Sequence, residues 1–223
     1  MSIVFEERPP DYEAGYYDSY RRRIDMATVG AGFSMSLDGF IAGPDDDVQR
    51  LFAWMFSGDT DVTLSRGDGE IELKVPSQSA ERFEETNEII GAIVSGRRMF
   101  DVAGAWGGKH PMDVPVFVVT HTVPKEWDKP EYPFTFVTDG LESALEQARK
   151  VAGEKSIGVG GADITRQCLK AGLLDEIGID LVPVLLGSGV RLFEHLGIEP
   201  IELECTSVAA VPGVTHLRYR VVR

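Results

Sequence analysis

The sequence predicts a three-layer α/β domain with a mostly parallel central sheet and an antiparallel C-terminal edge. Three observations predict it. Across the middle of the chain, short apolar runs of strand length alternate with helix-length segments, as in parallel sheets joined by crossover helices. The segment "GLESALEQARKVAG" puts Leu141, Ala144, Leu145 and Ala148 on one stripe of a helix that Gly153 ends. The tail "IELECTSVAAVPGVTHLRYRVVR" reads as two antiparallel strands around Pro212-Gly213.

Taken in order, residues 1–26 stand apart. "RPPDYEAGYYDSYRRR" is rich in charge, tyrosine and proline and has no sustained period. It reads as an N-terminal extension, either partly ordered or an arm that docks its tyrosines on this subunit or a partner. From Val29, "VGAGFSMSLDGFIAG" gives a short apolar strand and then a loop punctuated by glycine. Asp45-Asp46-Asp47 suit the N-terminus of a helix in "VQRLFAWMF", where Leu51, Phe52, Trp54 and Met55 fit one face. Residues 57–77 read as an excursion of loop and weak strand. A helix is expected from about Ser79 to Ile90. Strands are expected at "GAIVSG", "VPVFVVT", "FTFVT", "SIGVGG" and "LLDEIGIDLVPVLL", the last ending at Pro183. Helices are expected at "RRMFDVAGAW" and "ADITRQCLKAG".

Composition narrows the function classes. A chain of 223 residues, 43% hydrophobic, suits one domain over residues 27–223 with the extension attached. The longest apolar runs, such as Val114 to Val119, are too short to span a membrane. The N-terminus lacks the apolar stretch of a signal peptide, so a cytoplasmic protein is expected. A net charge of −14 repels phosphate backbones, which argues against nucleic acid as a partner. A small anionic ligand would need a locally basic pocket. Cys168 and Cys205 lie far apart and are expected as two buried free thiols. No Cys-x-x-Cys or His-x-Glu pattern occurs, so neither a structural zinc nor a zinc-deaminase centre is expected.

Four segments carry candidate chemistry. In "IVSGRRMF" a buried strand ends and Arg97-Arg98 open a helix, where free N–H groups and two guanidinium forks suit a phosphate. The arginines also oppose the helix dipole, so either an anion lies nearby or they are solvated surface residues. In "FVVTHTVP" Thr120, His121 and Thr122 end a strand, either lining a ribose phosphate or merely terminating it. In "VGGADI" Gly160-Gly161 link strand to helix, where glycine permits close approach of another group or simply tight packing. The loop "SMSLDGFIAGPDDD" is glycine-rich enough to fold over a flat ligand, or is a plain surface turn. Neither a Gly-x-Gly-x-x-Gly fingerprint nor a Walker A loop is present.

In their order and spacing, "SLDGFIAGPDDD", "SGRRMF", "VGGADI" and "DLVPVLLGSGVRLFE" resemble the dihydrofolate-reductase fold. The closer resemblance is to the reductase half of the riboflavin-biosynthesis deaminase-reductases and their stand-alone relatives, from about Ala27 to Arg223. The resemblance implies NADPH as cofactor. It places Gly96, Arg97, Arg98 and Met99 at the phosphates and Thr120 and His121 near the adenosine 2′-phosphate. It places Val159, Gly160, Gly161, Ala162, Asp163 and Ile164 at the pyrophosphate, with a cis Gly160–Gly161 peptide as in dihydrofolate reductases. Asp38, Gly39, Ile41, Ala42 and Gly43 would border the nicotinamide. Asp47 is the nearest match to the carboxylate that grips the pterin in dihydrofolate reductases, or is a helix cap. Asp38, Asp47 or a water would donate the proton, and Arg191 would hold a substrate phosphate or serve the fold. The expected function is hydride transfer from NADPH to a pterin- or pyrimidine-like heterocycle, such as a ribosylaminouracil phosphate, in a homodimer. The alternatives are a dihydrofolate reductase, a nucleotide-binding protein without turnover, and an assembly module that recruits a partner through its N-terminal arm.

Overall fold

Val29, Ala31, Phe33 and Met35 alternate with Gly30, Gly32, Ser34 and Ser36 along the first strand, β1 (Val29–Ser36). Side chains alternate across a strand, so one face of β1 is apolar and the other nearly bare. In the computed structural model, which describes residues 27–223, β1 is an inner strand of an eight-stranded sheet. The expected N-terminal arm lies outside the described residues. The chain continues through β2 (Phe40–Ala42), a short helix α1 (Gln49–Phe52), β3 (Thr60–Arg66), β4 (Gly69–Val75) and α2 (Ser77–Ile89). Then come β5 (Ile90–Gly96), α3 (Arg97–Val102), β6 (Val116–Val119), β7 (Phe134–Val137), α4 (Leu141–Ala152), β8 (Ser156–Gly160) and α5 (Ala162–Lys170). The last elements are β9 (Glu176–Val182), β10 (Val190–Arg191), β11 (Leu203–Val211) and β12 (Val214–Val221).

The main sheet has the order β11-β12-β9-β1-β8-β5-β6-β7. Strands β9 through β7 in that order run parallel, and β12 and β11 add the antiparallel edge. After β7 the chain returns and inserts β8 between β1 and β5. The apolar stripe of α4 covers one face, with Ala144, Leu145 and Ala148 all 0% exposed against Val29, Val94 and Ile157. Helix α5 adds Ile164 and Cys168 to the same core. On the other face, α1, α2 and the β3–β4 hairpin build a second cluster around Leu51, Trp54, Leu73 and Val75. A third cluster centres on Phe100 of α3, 0% exposed, which meets Phe134 and Phe136 edge-on.

Three local expectations are corrected. Residues 57–77, expected as loop and weak strand, are more regular than that and hold the paired hairpin β3–β4, with Val62 and Leu64 alternating with exposed residues. The helix after Asp47 stops after one turn and Ala53–Phe56 tightens into a 3-10 turn. Phe52 therefore swings out to 37% exposed, while Leu51 and Trp54 stay buried. Cys168 is a buried free thiol, and burial pushes it up to about 12. Cys205 is exposed instead, on β11 at the edge of the sheet. Among the described residues no helix is long and apolar enough to cross a membrane.

Leu145 sits where α4 meets the sheet and has no room to be replaced. Leu145→Ala is expected to lower the unfolding free energy by about 2–5 kcal/mol, measured as a shift in urea midpoint at constant slope.

Candidate functional site

Strands β5 and β8 lie side by side, with Ser95 opposite Gly160. Both end level, and each hands over to a helix through glycine: Gly96 before α3, Gly161 before α5. Neither glycine can cap its helix with a side chain, so the first backbone N–H groups face the sheet edge without one. Gly161 has φ +99°, a conformation that L side chains rarely adopt. The Gly160–Gly161 peptide is trans, not the cis bond that the resemblance implied. The turn is made by the positive φ of Gly161 instead.

The two turns interlock. A Cβ on Gly160 would stand 2.8 Å from the Met99 sulfur of α3. A Cβ on Gly96 would stand 3.0 Å from Ile164 Cγ1 of α5. Each helix thus packs a side chain over the other's glycine. Val159, Ala162 and Ile164 point into the core, so only their backbone reaches the strand ends. Asp163 is exposed and accepts an N–H from Gln167 at 2.7 Å.

The arginines are held by carboxylates. Arg97 Nε donates to Asp101 at 2.7 and 2.9 Å, and Arg97 Nη1 donates to the Thr122 carbonyl at 2.8 Å. Thr120, 7% exposed, donates its hydroxyl to the same carbonyl at 2.9 Å. His121 beside it is exposed. Arg98 donates to both oxygens of Asp46, at 2.8 and 3.0 Å. That pair ties the Ala42–Asp47 loop to the start of α3. Asp46 and Asp101 are the partners of these arginines that the sequence reading missed. Asp101 carried a signal, four residues after Arg97 on one helix; Asp46 lies 52 residues from its partner and carried none.

Asp38 and Asp47, the expected proton donors, both accept hydrogen bonds here. The Ser36 hydroxyl donates to Asp38 at 2.6 Å, and the Gly187 and Leu186 N–H groups donate at 2.7 and 3.1 Å. The hydroxyl foremost, with these amides, holds the carboxyl at about 2. It is an ionised acceptor near neutral pH and latches the β1–β2 turn to residues 186–187. Arg191 reinforces the latch, donating to the Asp38 carbonyl at 2.9 Å with its guanidinium 4.3 Å from the Phe40 ring centroid. Asp47 is exposed and accepts the Gln49 N–H at 3.0 Å, a local bond just before α1, whose N-cap position is Val48.

A family model of the RibD C-terminal domain matches residues 27–217. The chain belongs to that family. Its fold is similar to solved structures of three related kinds. A putative riboflavin biosynthesis protein from Shewanella sp. PV-4 is 23% identical, with a TM-score of 0.67 over 89% of this chain and 100% of its own. The riboflavin biosynthesis reductase of Saccharomyces cerevisiae is 13% identical, with a TM-score of 0.59 over 96% of this chain and 99% of its own. A dihydrofolate reductase from Enterococcus faecalis, complexed with NADP(H), is 14% identical, with a TM-score of 0.53 over 88% of this chain and 97% of its own. As a RibD C-terminal domain the chain has the dihydrofolate-reductase-like fold, and its glycine turns lie where that sheet ends.

The Asp38 latch carries a pH signature. Its folded pKa lies below the ordinary aspartate value of 3.8, so its stabilising contribution is present above that value and is lost as pH falls towards about 2. Asp38→Asn is expected to lower the urea midpoint at pH 6. The gap to the wild type should close between about pH 4 and pH 2.

Proposed function

We propose that this RibD C-terminal domain is a reductase that uses NADPH to reduce a C=N or C=O bond of a small pyrimidine-like heterocycle. The observation that carries the reading is the pair of level strand ends. The uncapped Gly160–Gly161 turn opens α5 beside the Gly96–Arg97 turn, with two guanidinium groups at the same edge. In open α/β sheets ligands collect at the carboxyl ends of strands, and a helix start with free N–H groups suits an anion.

The residues present fit a dinucleotide. The amides at Gly161, Ala162 and Asp163 would hold the pyrophosphate, with Gly96, Arg97, Arg98 and Met99 alongside. Arg97, Thr120 and His121 would take the 2′-phosphate, since Arg97 bridges α3 to the end of β6. Ala42 and Gly43 belong to the loop that Asp46 and Arg98 draw towards this edge. Bound there, the reduced nicotinamide would supply a hydride. The chain's own work is positioning. The ionised Asp38 fixes the loop after β1, and water supplies the proton. Family membership supports the reading, as does the likeness to a riboflavin biosynthesis reductase.

Titration with NADPH and NADH, followed by loss of nicotinamide absorbance across pterins and pyrimidines, tests it directly. Arg97→Ala should weaken NADPH by about 1.5–3 kcal/mol, roughly ten- to a hundredfold, and NADH far less. Equal losses for both would remove Arg97 from the 2′-phosphate. Tight NADPH binding with no oxidation by any heterocycle would make the protein a binder without turnover.

A further inference from the structure

Three aspartates, Asp45 to Asp47, stand beside the arginines of the proposed phosphate site, where their charge repels an anion. Asp45 and Asp47 are exposed. The Asp46 side chain is 25% exposed and turned onto Arg98, whose Nη2 donates to both its oxygens. Asp45 and Asp46 both have left-handed backbone, with φ of 57° and 61°. Aspartate visits that region as a single residue, and two in succession are strained. The strain is local to a tight turn. The Gly43 N–H donates to the Asp47 carbonyl at 2.7 Å, and Asp47 is extended again.

The two ends of this loop are held differently. At its start Ala42 pairs with Val190 of β10, and a Cβ on Gly189 would collide with the Ala42 carbonyl oxygen, so backbone lies on backbone there. At Asp46 the tie is an ion pair whose arginine is mostly exposed. Pairs so exposed are weak and are screened by salt. Arg98 is the second residue of α3 and precedes Met99, whose side chain lies over Gly160. A guanidinium donates to a carboxylate and to a phosphate with the same N–H groups. Asp46 therefore fills, on Arg98, the place that phosphate oxygens would take.

We propose that Asp46 is a resident anion that competes with the dinucleotide's pyrophosphate for Arg98, and that the exchange releases the loop at residues 43–47 as the ligand arrives. A ligand must bring its own phosphate oxygens to free Arg98, so a nucleoside without them leaves the loop latched. The loop begins at Gly43, which borders the nicotinamide in the reductase reading. The exchange thus couples the two ends of the dinucleotide site. The pyrophosphate is common to NADPH and NADH, so Asp46 sets the affinity for both alike, whereas Arg97 separates them. The identity of the ligand rests on the reductase reading; the competition for Arg98 does not.

The test titrates NADPH, NADH and inorganic pyrophosphate into the full chain by calorimetry. Asp46→Asn keeps the left-handed turn, which asparagine also adopts, and removes the competing charge. It should tighten all three ligands by about three- to tenfold, the two dinucleotides by the same factor. Asp45→Asn removes an equal charge from an exposed neighbour and should change them less than twofold. Arg98→Ala should weaken all three, and in that background Asp46→Asn should gain less than twofold. Without ligand, hydrogen exchange in the peptide covering residues 43–47 should quicken in both Asp46→Asn and Arg98→Ala; unchanged exchange in both would overturn the latch. Unchanged or weaker dinucleotide binding in Asp46→Asn would overturn the competition and leave the reductase reading standing, as would an equal gain in Asp45→Asn. Tighter pyrophosphate in Asp46→Asn with no dinucleotide bound would support the competition and sink the reductase reading. No anion bound by either protein would overturn both.

Discussion

Ser95 pairs with Gly160 across two parallel strands, and the geometry of the sheet edge follows from that register. It brings the ends of β5 and β8 level, so that two glycine turns open side by side and Met99 and Ile164 each pack over the opposite glycine. A slip of one residue would turn Ser95 and Gly160 to the core face and drive Val94 and Val159 out of it. The register is fixed in turn by burial, since Val94 and Val159 belong to the core that α4 and α5 cover. Insertion of β8 after β7 completes the arrangement, because it sets one chain segment between two others formed earlier in sequence. The hydrophobic pattern of the core thus determines where backbone amides meet at the surface.

Electrostatics at this edge run against the molecule as a whole. The chain carries a net charge of −14, yet two arginines are concentrated at one strand end. Each is held by a carboxylate. The Arg98–Asp46 pair has one side chain 73% exposed, and ion pairs so exposed contribute about 0–1 kcal/mol. A phosphate arriving here would displace Asp46 at little cost and gain a guanidinium already in place. Arg97 is more firmly set, with Asp101 on Nε and the Thr122 carbonyl on Nη1. One arginine is a fixed donor and the other is exchangeable, and the exchange would free the loop that carries Asp46.

The layers, the parallel strands and the antiparallel edge were legible because their signals are local and periodic. The α4 stripe is a clear case: its apolar residues recur at helical spacing and all of them are buried. The β3–β4 hairpin was legible only as loop and weak strand because its alternation is half polar and its partner is only its own other strand. Its Gly67-Asp68 turn and the alternating Val62, Leu64, Ile71 and Leu73 were the signal that could have found it. Arg97, Gly160 and Gly161 were visible as strand-end chemistry. Asp46 against Arg98, and Asp180 against His216 and Ser79, were not. These pairings join residues 52, 36 and 137 positions apart, and only the folded register brings them together.

Glycines along this sheet are of two kinds. Gly161 is required by its own backbone, which turns through φ +99°. Gly32 has no such requirement: its φ is ordinary and nothing surrounds the position of its Cβ. A valine there would favour the strand and bury apolar surface against its neighbours. Protein interiors are close-packed, and an inner strand left open gives up contacts that a side chain would supply. The two serines further along the same face are satisfied within the protein, Ser34 by Trp54 and Ser36 by Asp38. Among the described residues no side chain lies within 4 Å of a Cβ built on Gly32 or Gly178.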